Sequence, residues 1–495
     1  MKYLLLLFFL LLYLLLPTQN STVDAYFYAG GVKYAEYLFL PHHLLYNALG
    51  WLWVHLFRLM GVQAEALALL KAMNAAAATA SLFVLYKILI QLRQHEKQAL
   101  AWVALTGCSF GFWRFATENE TYMVPVLFSL LASYFFIVFS KNSQKTRFII
   151  ISGLMAAMAC LFHQIHVFWW MGLFAGSFFF RKKNSDTILF AFPAAIIPLV
   201  YALVLFFDQN QEISLKNLLT FALHDVQAGR VQTQISLQNF ILTPINLVRT
   251  WLQVHGNMLY LLRNSLFYLA PALLFAGLFF YTFPGKRIKN TSLKYNPDAF
   301  IFKIHALIFL LQVLFAFYAV GNAEFMVMLP PLLALLLGCL FYVDVKAIAA
   351  AALALFTWNI SYGIFPNYYY QYSHQQEVMA HLQQHPQALF ISSDDAQLLN
   401  ELYYQTGREN FENVIKSPSL MALKQLPLDS LHSLIKTYQD NGRKVFTDCL
   451  QKPKVQNRAS MVIADVDSVF FAPYTQVPAD TFTTFYGNRY LFQIK

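Results

Sequence analysis

Long apolar runs recur along the first three quarters of the chain and stop near Phe365. A bilayer core about 30 Å thick takes roughly 20 helical residues to cross. The runs at 3–16, 65–90, 99–113, 122–140, 148–162, 167–180, 187–207, 264–283, 300–319, 325–343 and 346–364 therefore predict about eleven transmembrane helices. The first follows Met1-Lys2 and looks like a signal sequence. No small-residue cleavage site follows it, so it is expected to stay as a span. Beyond 364 the pattern changes. Helical periodicity at 374–385, 396–406 and 428–440 alternates with strand-like runs at 388–392, 413–416, 444–447, 469–472 and 483–493. Such alternation predicts a small α/β sandwich with a partly parallel sheet. The expected fold class is mainly α: a polytopic membrane domain over 1–364 and a soluble α/β domain over 365–495. No Gly-rich phosphate loop follows the first strand. Ser392-Ser393-Asp394-Asp395 precedes a helix, and capping preference favours Ser393 or Asp394 as its N-cap over an active-site turn.

The charge settles what the chain does not bind. It is 58% hydrophobic and only 12% charged, with a formal net charge of +10. Residues 1–364 hold 24 Lys/Arg against 13 Asp/Glu, and the remainder hold 11 against 12. The basic residues gather in alternate loops, at 87–98, 141–147, 181–186 and 284–303, together with Lys2 and Lys346. The short turns 114–121, 163–166 and 321–324 carry one Arg between them. The positive-inside rule puts the basic loops in the cytoplasm and the C-terminal domain on the far side. The excess charge is thus an orientation signal, and nucleic acid is excluded as a partner. The absence of eukaryotic targeting signals and the modest size point to a bacterial inner membrane. Cys108, Cys160, Cys339 and Cys449 form neither a disulfide framework nor a metal-ligand spacing.

The turns expected outside collect polar residues unusual in so apolar a chain. The first outer segment holds Asp24-Ala25-Tyr26-Phe27-Tyr28, then Pro41-His42-His43, then an aromatic helix over 44–60 with Trp51, Trp53, His55 and Arg58. That helix is expected to lie along the membrane surface. The next turn reads Trp113-Arg114-Phe115-Ala116-Thr117-Glu118-Asn119-Glu120-Thr121-Tyr122. Two further turns read His163-Gln164-Ile165-His166 and Gly321-Asn322-Ala323-Glu324. An amphipathic stretch over 208–263 adds His224, Asp225, Arg230, Arg249, His255 and Arg263. Any one of these is ordinarily a wet loop residue or a snorkelling Arg. Their gathering at successive turns of one side points instead to a site, because ionisable groups at membrane depth line cavities or paths. Lys71 and Asn74 within one span are the kind of residues a transporter buries, but no inverted repeat accompanies them. The Asn-x-Ser/Thr sequons at Asn20, Asn119 and Asn290 are read as chance.

Taken in order, these residues resemble the GT-C glycosyltransferases, and within them the branch around the protein O-mannosyltransferases. Val23-Asp24-Ala25-Tyr26 matches the acidic position of the first outer loop. Pro41-His42-His43-Leu44-Leu45-Tyr46 is similar to a His-Pro-Pro helix start, without the Pro after His. Phe112-Trp113-Arg114 through Glu120-Thr121-Tyr122 and Gly153-Leu154 through His163 resemble the next two motifs. The motifs cover roughly residues 1–205, and the remainder is similar only in architecture. The resemblance implies transfer of a sugar from a polyprenyl-phosphate donor to a hydroxyl on a glycan, lipid or protein at the outer membrane surface. It makes Asp24 the base. Glu120 and then Glu118 become contacts to the acceptor or to a divalent metal, Mg or Mn, whose presence differs among relatives. The transfer needs a carboxylate within reach of the attacking hydroxyl. It also needs donors for the charge growing on the leaving phosphate. His42, His43, Arg114, His163, His166 and Arg230 are the candidates for that second task. The chain has a single first-loop acid where many relatives have a pair. This leaves open how Asp24, Glu118 and Glu120 divide the work. Two alternatives stand beside this reading: a lipid-linked glycan polymerase or ligase, which would rely on Arg and His and not on Asp24, and a transporter.

Overall fold

The computed structural model describes residues 1–142, 144–180, 184–227, 235–254, 257–282, 292–293, 298–450 and 466–495. The chain forms two compact units. One is Met1–Thr18 with Tyr37–Pro366, and the other is Gln19–Glu36 with Asn367–Lys495.

Among the described residues of the first unit, six helices are long and apolar enough to cross a membrane: Ala66–Gln91, Met123–Lys141, Asn184–Phe207, Ala299–Tyr318, Ala323–Leu340 and Val345–Tyr369. Lys2–Leu15, Arg147–Phe162 and Leu266–Thr282 are shorter apolar helices. Several of the expected spans are not continuous α-helix. The run at 99–113 forms Glu96–Gly107 and then Phe110–Ala116. The amides freed at the break are not wasted. Phe110 N–H donates to the Trp251 carbonyl at 3.1 Å, and Gly111 N–H donates to Thr250 at 2.9 Å. Apolar surroundings supply no water for such groups, so a broken helix survives only where neighbours take its donors. The run at 167–180 passes from Val167–Ala175 into a π-helical turn, Gly176–Phe180. Tyr46–Leu59 has fourteen residues, which rise about 21 Å and fall short of a bilayer core. Its Leu52, Leu56 and Leu59 are exposed along one side, while Asn47, Gly50 and Val54 are buried.

The second unit is built on one five-stranded sheet. Two short strands of the first unit are β1 (Ser292–Leu293) and β2 (Phe341–Tyr342), which pair antiparallel. The sheet of the second unit comprises β3 (Leu389–Ser392), β4 (Val414–Lys416), β5 (Val445–Thr447), β6 (Gln476–Thr484) and β7 (Gly487–Ile494), in the order β4-β3-β5-β7-β6. β3 is parallel to both β4 and β5, and the β6–β7 hairpin closes the sheet antiparallel. Alternate residues of β3 face opposite layers, as the period of a strand requires. Phe390 packs with Val378, Met379, Leu398 and Leu402. Leu389 and Ile391 pack with Met421, Leu431, Ile435 and Phe471. Helices Gln375–Gln384 and Asp395–Thr406 thus cover one face, and Pro418–Leu423, Leu428–Asp440 and Val466–Phe471 cover the other.

Two sequence expectations change here. The run at 469–472 was expected to be a strand but belongs to helix Val466–Phe471, where Phe470 stacks on His432 at a ring separation of 4.0 Å. So short an apolar run carries no period that distinguishes helix from strand. The run at 483–493 is not one strand but parts of β6 and β7, folded back at Phe485-Tyr486.

The segment Gln19–Glu36, expected as a loop of the membrane part, is knitted into the second unit. Its helix Val23–Tyr34 carries Gly30, where a Cβ would sit 2.5 Å from the Tyr403 ring. Tyr34 donates to the Gln405 carbonyl at 2.8 Å, and Lys33 lies 4.7 Å from the Tyr404 ring centre. Tyr403 donates to Glu36 at 2.9 Å, and Asn20 donates to the carbonyls of Asn367 and Tyr370 at 2.9 and 2.7 Å.

In the first unit, a Cβ at Gly153 would run into the carbonyl oxygen of Phe190. Close approach of backbones through small residues is how apolar helices associate where burial alone gives little drive. Gly153→Val is therefore expected to cost about 1–3 kcal/mol, read as a lowered unfolding midpoint in detergent. An unchanged midpoint would show that the two helices do not touch there.

A candidate active site at the helix ends of the membrane unit

Lys71 and Asn74 stand three positions apart on helix Ala66–Gln91, which places them on one face. The Asn74 amide lies 2.8 Å from the Glu118 carbonyl, 2.7 Å from that of Glu120 and 2.9 Å from the Tyr46 hydroxyl. Tyr46 in turn donates to Asn119 Oδ1 at 2.9 Å. One side-chain amide thereby holds the 118–120 turn against the start of helix Tyr46–Leu59. The Glu118 carboxylate is fully buried. It accepts from Arg114 Nη1 at 3.0 Å and from the Asn119 N–H at 2.9 Å, with Lys71 Nζ 3.9 Å away. Lys71 also donates to the Thr18 carbonyl at 2.7 Å. Glu120 is buried beside this group, at 3% exposure.

Next to the acidic turn stands a row of histidines. His42 and His43 come from the 3-10 turn Pro41–His43, while His163 caps and His166 ends the turn Gln164–His166. Ring centres are 4.0 Å apart for His42 and His43, 6.4 Å for His43 and His163, and 6.5 Å for His163 and His166. The Tyr122 ring lies 5.1 Å from His163, and its hydroxyl donates to Glu324 at 2.9 Å. Gln164 fixes the turns by reaching the Pro41 carbonyl at 3.0 Å, the Tyr201 hydroxyl at 2.9 Å and the Ala222 carbonyl at 2.8 Å. His42 Nδ1 is 2.6 Å from Asp225 Oδ2, and His166 Nδ1 is 2.7 Å from the Ser129 hydroxyl.

Burial, reinforced by neighbouring histidines, holds His43 and His163 well below the usual imidazole range. Burial alone lowers His166 to about 3. These three rings are neutral near pH 7, and a neutral imidazole offers one donor and one acceptor. The four polar turns expected on one side, beginning at 41, 114, 163 and 321, therefore meet in one place.

Asp24 is exposed in the first turn of Val23–Tyr34 and belongs to the second unit. Arg230 lies outside the described residues. Arg114 is bound to Glu118, a pairing the sequence hinted at only through their spacing of four. Asn74 and Lys71, first noticed as oddities of one span, turn out to organise the acidic turn. Asn119 is fully buried, which leaves its sequon no room for a glycan. Among the described residues, no group of three or more His, Cys, Asp or Glu is placed to hold a metal ion. With Glu118 committed to Arg114 and Lys71, the donor set does not fit a divalent metal.

No protein-family model and no curated protein sequence matches the chain. Solved structures do. ArnT from Cupriavidus metallidurans bound to undecaprenyl phosphate is 10% identical, with a TM-score of 0.49, over 99% of this chain and 97% of that one. The oligosaccharyltransferase of Archaeoglobus fulgidus in the apo form is 14% identical, with a TM-score of 0.39, over 74% of this chain. The match spans only 55% of that enzyme's length. The archaeal oligosaccharyltransferase AglB from Archaeoglobus fulgidus, in complex with an inhibitory peptide and a dolichol-phosphate, is 14% identical, with a TM-score of 0.33, over 77% of this chain and 52% of that one. Likenesses at these scores do not decide an activity.

Two outcomes follow from the geometry. Glu118→Ala leaves buried Lys71 and Arg114 without their shared partner and should destabilise the protein by about 3–5 kcal/mol. Glu118→Gln combined with Lys71→Met should cost markedly less than the two single changes together, in a double-mutant cycle of unfolding midpoints; simple additivity would refute the coupling. The histidines set a pH dependence. Their folded pKa lies below the unfolded 6.5, so the unfolded state takes protons first as pH falls. Stability should drop below pH 6.5, by about 2 kcal/mol per buried histidine at pH 5. Unfolding midpoints between pH 7.5 and 5 test this, and His166→Gln should flatten the profile.

Proposed function

We propose that the chain is an integral membrane glycosyltransferase. It moves a sugar from a polyprenyl-phosphate donor to an acceptor hydroxyl on a glycan, lipid or protein at the outer face of a bacterial cytoplasmic membrane. In this reading the second unit is extracytoplasmic. The observation that carries it is the meeting of four sequence-distant polar turns at the ends of apolar helices. A donor whose tail lies in lipid and whose phosphate lies at the surface needs a polar site at that depth.

Asp24 accepts the proton of the acceptor hydroxyl as its oxygen attacks the anomeric carbon. The bond from that carbon to the phosphate oxygen breaks, and negative charge grows on the leaving polyprenyl phosphate. His42, His43, His163 and His166 are the donors that meet it, together with the guanidinium edge of Arg114 and with Arg230. Glu120 contacts the acceptor. Glu118 holds Arg114 and Lys71 in place and acts as a positioning residue. The pre-set, water-poor setting of the buried rings makes each hydrogen bond to a developing charge stronger than it would be in water.

The resemblance of Val23-Asp24-Ala25-Tyr26 to the acidic motif of the GT-C first loop supports Asp24 as base, and so does its exposure in the folded chain. Asp24→Asn is expected to lower sugar transfer from a polyprenyl-phosphate-linked donor by about 10²–10⁴-fold, while expression and unfolding midpoint stay unchanged. Full transfer by that variant would remove the assignment and favour a polymerase or ligase working through Arg and His.

A further inference from the structure

The second unit holds a pocket of about 140 Å³ that the transfer chemistry above does not use. A single water needs only about 10–15 Å³ of such space, so the pocket admits a group of many heavy atoms. Its position follows from the topology. β3 lies between β4 and β5, parallel to both, so the connections from β3 to β4 and from β4 to β5 run in opposite directions across the sheet. In open α/β sheets such a divergence leaves a crevice at the carboxyl ends of the strands. Asp394, just beyond the end of β3 and N-cap of helix Asp395–Thr406, lines the pocket. The segment ahead of helix Val23–Tyr34 supplies the opposite wall.

The lining has a distinctive chemistry. Tyr26 and Tyr372 contribute aromatic rings, Asp394 and Glu401 carboxyl groups, and Gln397 an amide. Among the described residues, the remaining wall is made of side-chain amides and hydroxyls, with no Lys, Arg or His. An anion would find no charge there to receive it. Gln397 donates to Glu401 Oε1 at 2.6 Å, which fixes one carboxyl and one amide in a common geometry. Burial pushes the Glu401 carboxyl up to about 7, so near neutral pH it can donate a hydrogen bond as well as accept one. The Ser21 hydroxyl lines the same pocket, is 8% exposed and has no hydrogen-bond partner among the described residues. A buried polar group left unmade costs free energy that a ligand hydroxyl returns.

We propose that this pocket binds a single uncharged sugar ring. Closely spaced hydroxyls suit paired amide and carboxyl groups, each able to accept and donate. The apolar face of a sugar ring suits the tyrosines. A site built from fixed polar groups rejects ligands that lack the matching hydroxyls, because those groups would then be buried unpaired. The inference goes beyond the transferase reading and does not rest on it, since binding needs neither donor nor turnover.

Saturation-transfer NMR on the full-length protein in detergent tests it, with methyl glycosides of glucose, galactose and mannose, N-acetylglucosamine, glucosamine and galacturonate as probes. At least one neutral sugar should show transfer, and galacturonate should show none. Ser21→Val removes no hydrogen bond within the protein and fills the pocket, and should weaken that binding at least tenfold with an unchanged unfolding midpoint. Gln376→Ala, on the exposed rim, gives a second variant that should weaken it several-fold. Binding by no neutral sugar overturns the proposal. So does binding of glucosamine alone, which would mark a cation site, or neutral-sugar binding untouched by both variants. Repeating the titration with Asp24→Asn separates the two ideas: the transferase reading can fail there while the pocket still binds.

Discussion

The membrane unit depends on one buried charge. Glu118 is fully enclosed, and a buried carboxyl group left without partners is costly. Arg114 and Lys71 supply those partners from two different helical segments, and the Asn119 amide adds a hydrogen bond. Asn74 then binds the carbonyls on either side of Asn119. A turn that would otherwise carry several unmet backbone groups in apolar surroundings becomes a fixed floor. The histidine row stands on that floor by way of Tyr122, which closes the turn and touches His163. Remove the charge network and the histidines lose the surface that orients them.

Much of this was legible in the residues. The tail helices at 375–384, 395–406 and 428–440 fall where their periodicity put them. Asp394 caps its helix by accepting from the Gln397 N–H, as capping chemistry suggested. The polar turns stood out because acids and histidines are rare in so apolar a chain. What stayed hidden was of another kind. The break between Glu96–Gly107 and Phe110–Ala116 is tolerated because residues 250 and 251 take its amides, and no local pattern announces a partner so distant. Lys71 and Asn74 were visible as polar residues in an apolar span, but their purpose required knowing what faced them. The hairpin turn at Phe485-Tyr486 lacks Gly, Asn or Asp, so it gave no turn signal.

Asp24 illustrates the limit of motif reading. Its position in the chain suggests a loop of the membrane part, and its neighbours in sequence do line such a loop's flanks. Yet Gly30, Tyr34 and Lys33 carry the chemistry that binds helix Val23–Tyr34 to Tyr403, Tyr404 and Gln405. The stretch also carries Tyr26 and Phe27, whose rings lie 6.0 and 5.9 Å from those of Tyr404 and Tyr403. They serve a protein interface, which composition alone cannot tell apart from a lipid one, since both reward flat apolar rings with a polar edge.

That embrace has a consequence in time. The segment Gln19–Glu36 is made roughly 330 residues before the start of its partners, Asn367–Lys495. At a synthesis rate of about 5–20 residues per second, roughly 20 to 70 seconds separate the two. For that interval a helix rich in tyrosine and phenylalanine has nothing of its own unit to pack against. The apolar helices of the first unit are laid down, one after another, while this segment waits. The second unit therefore acts as a seal on biosynthesis: the early segment reaches its final packing only after the residues beyond 367 have been made.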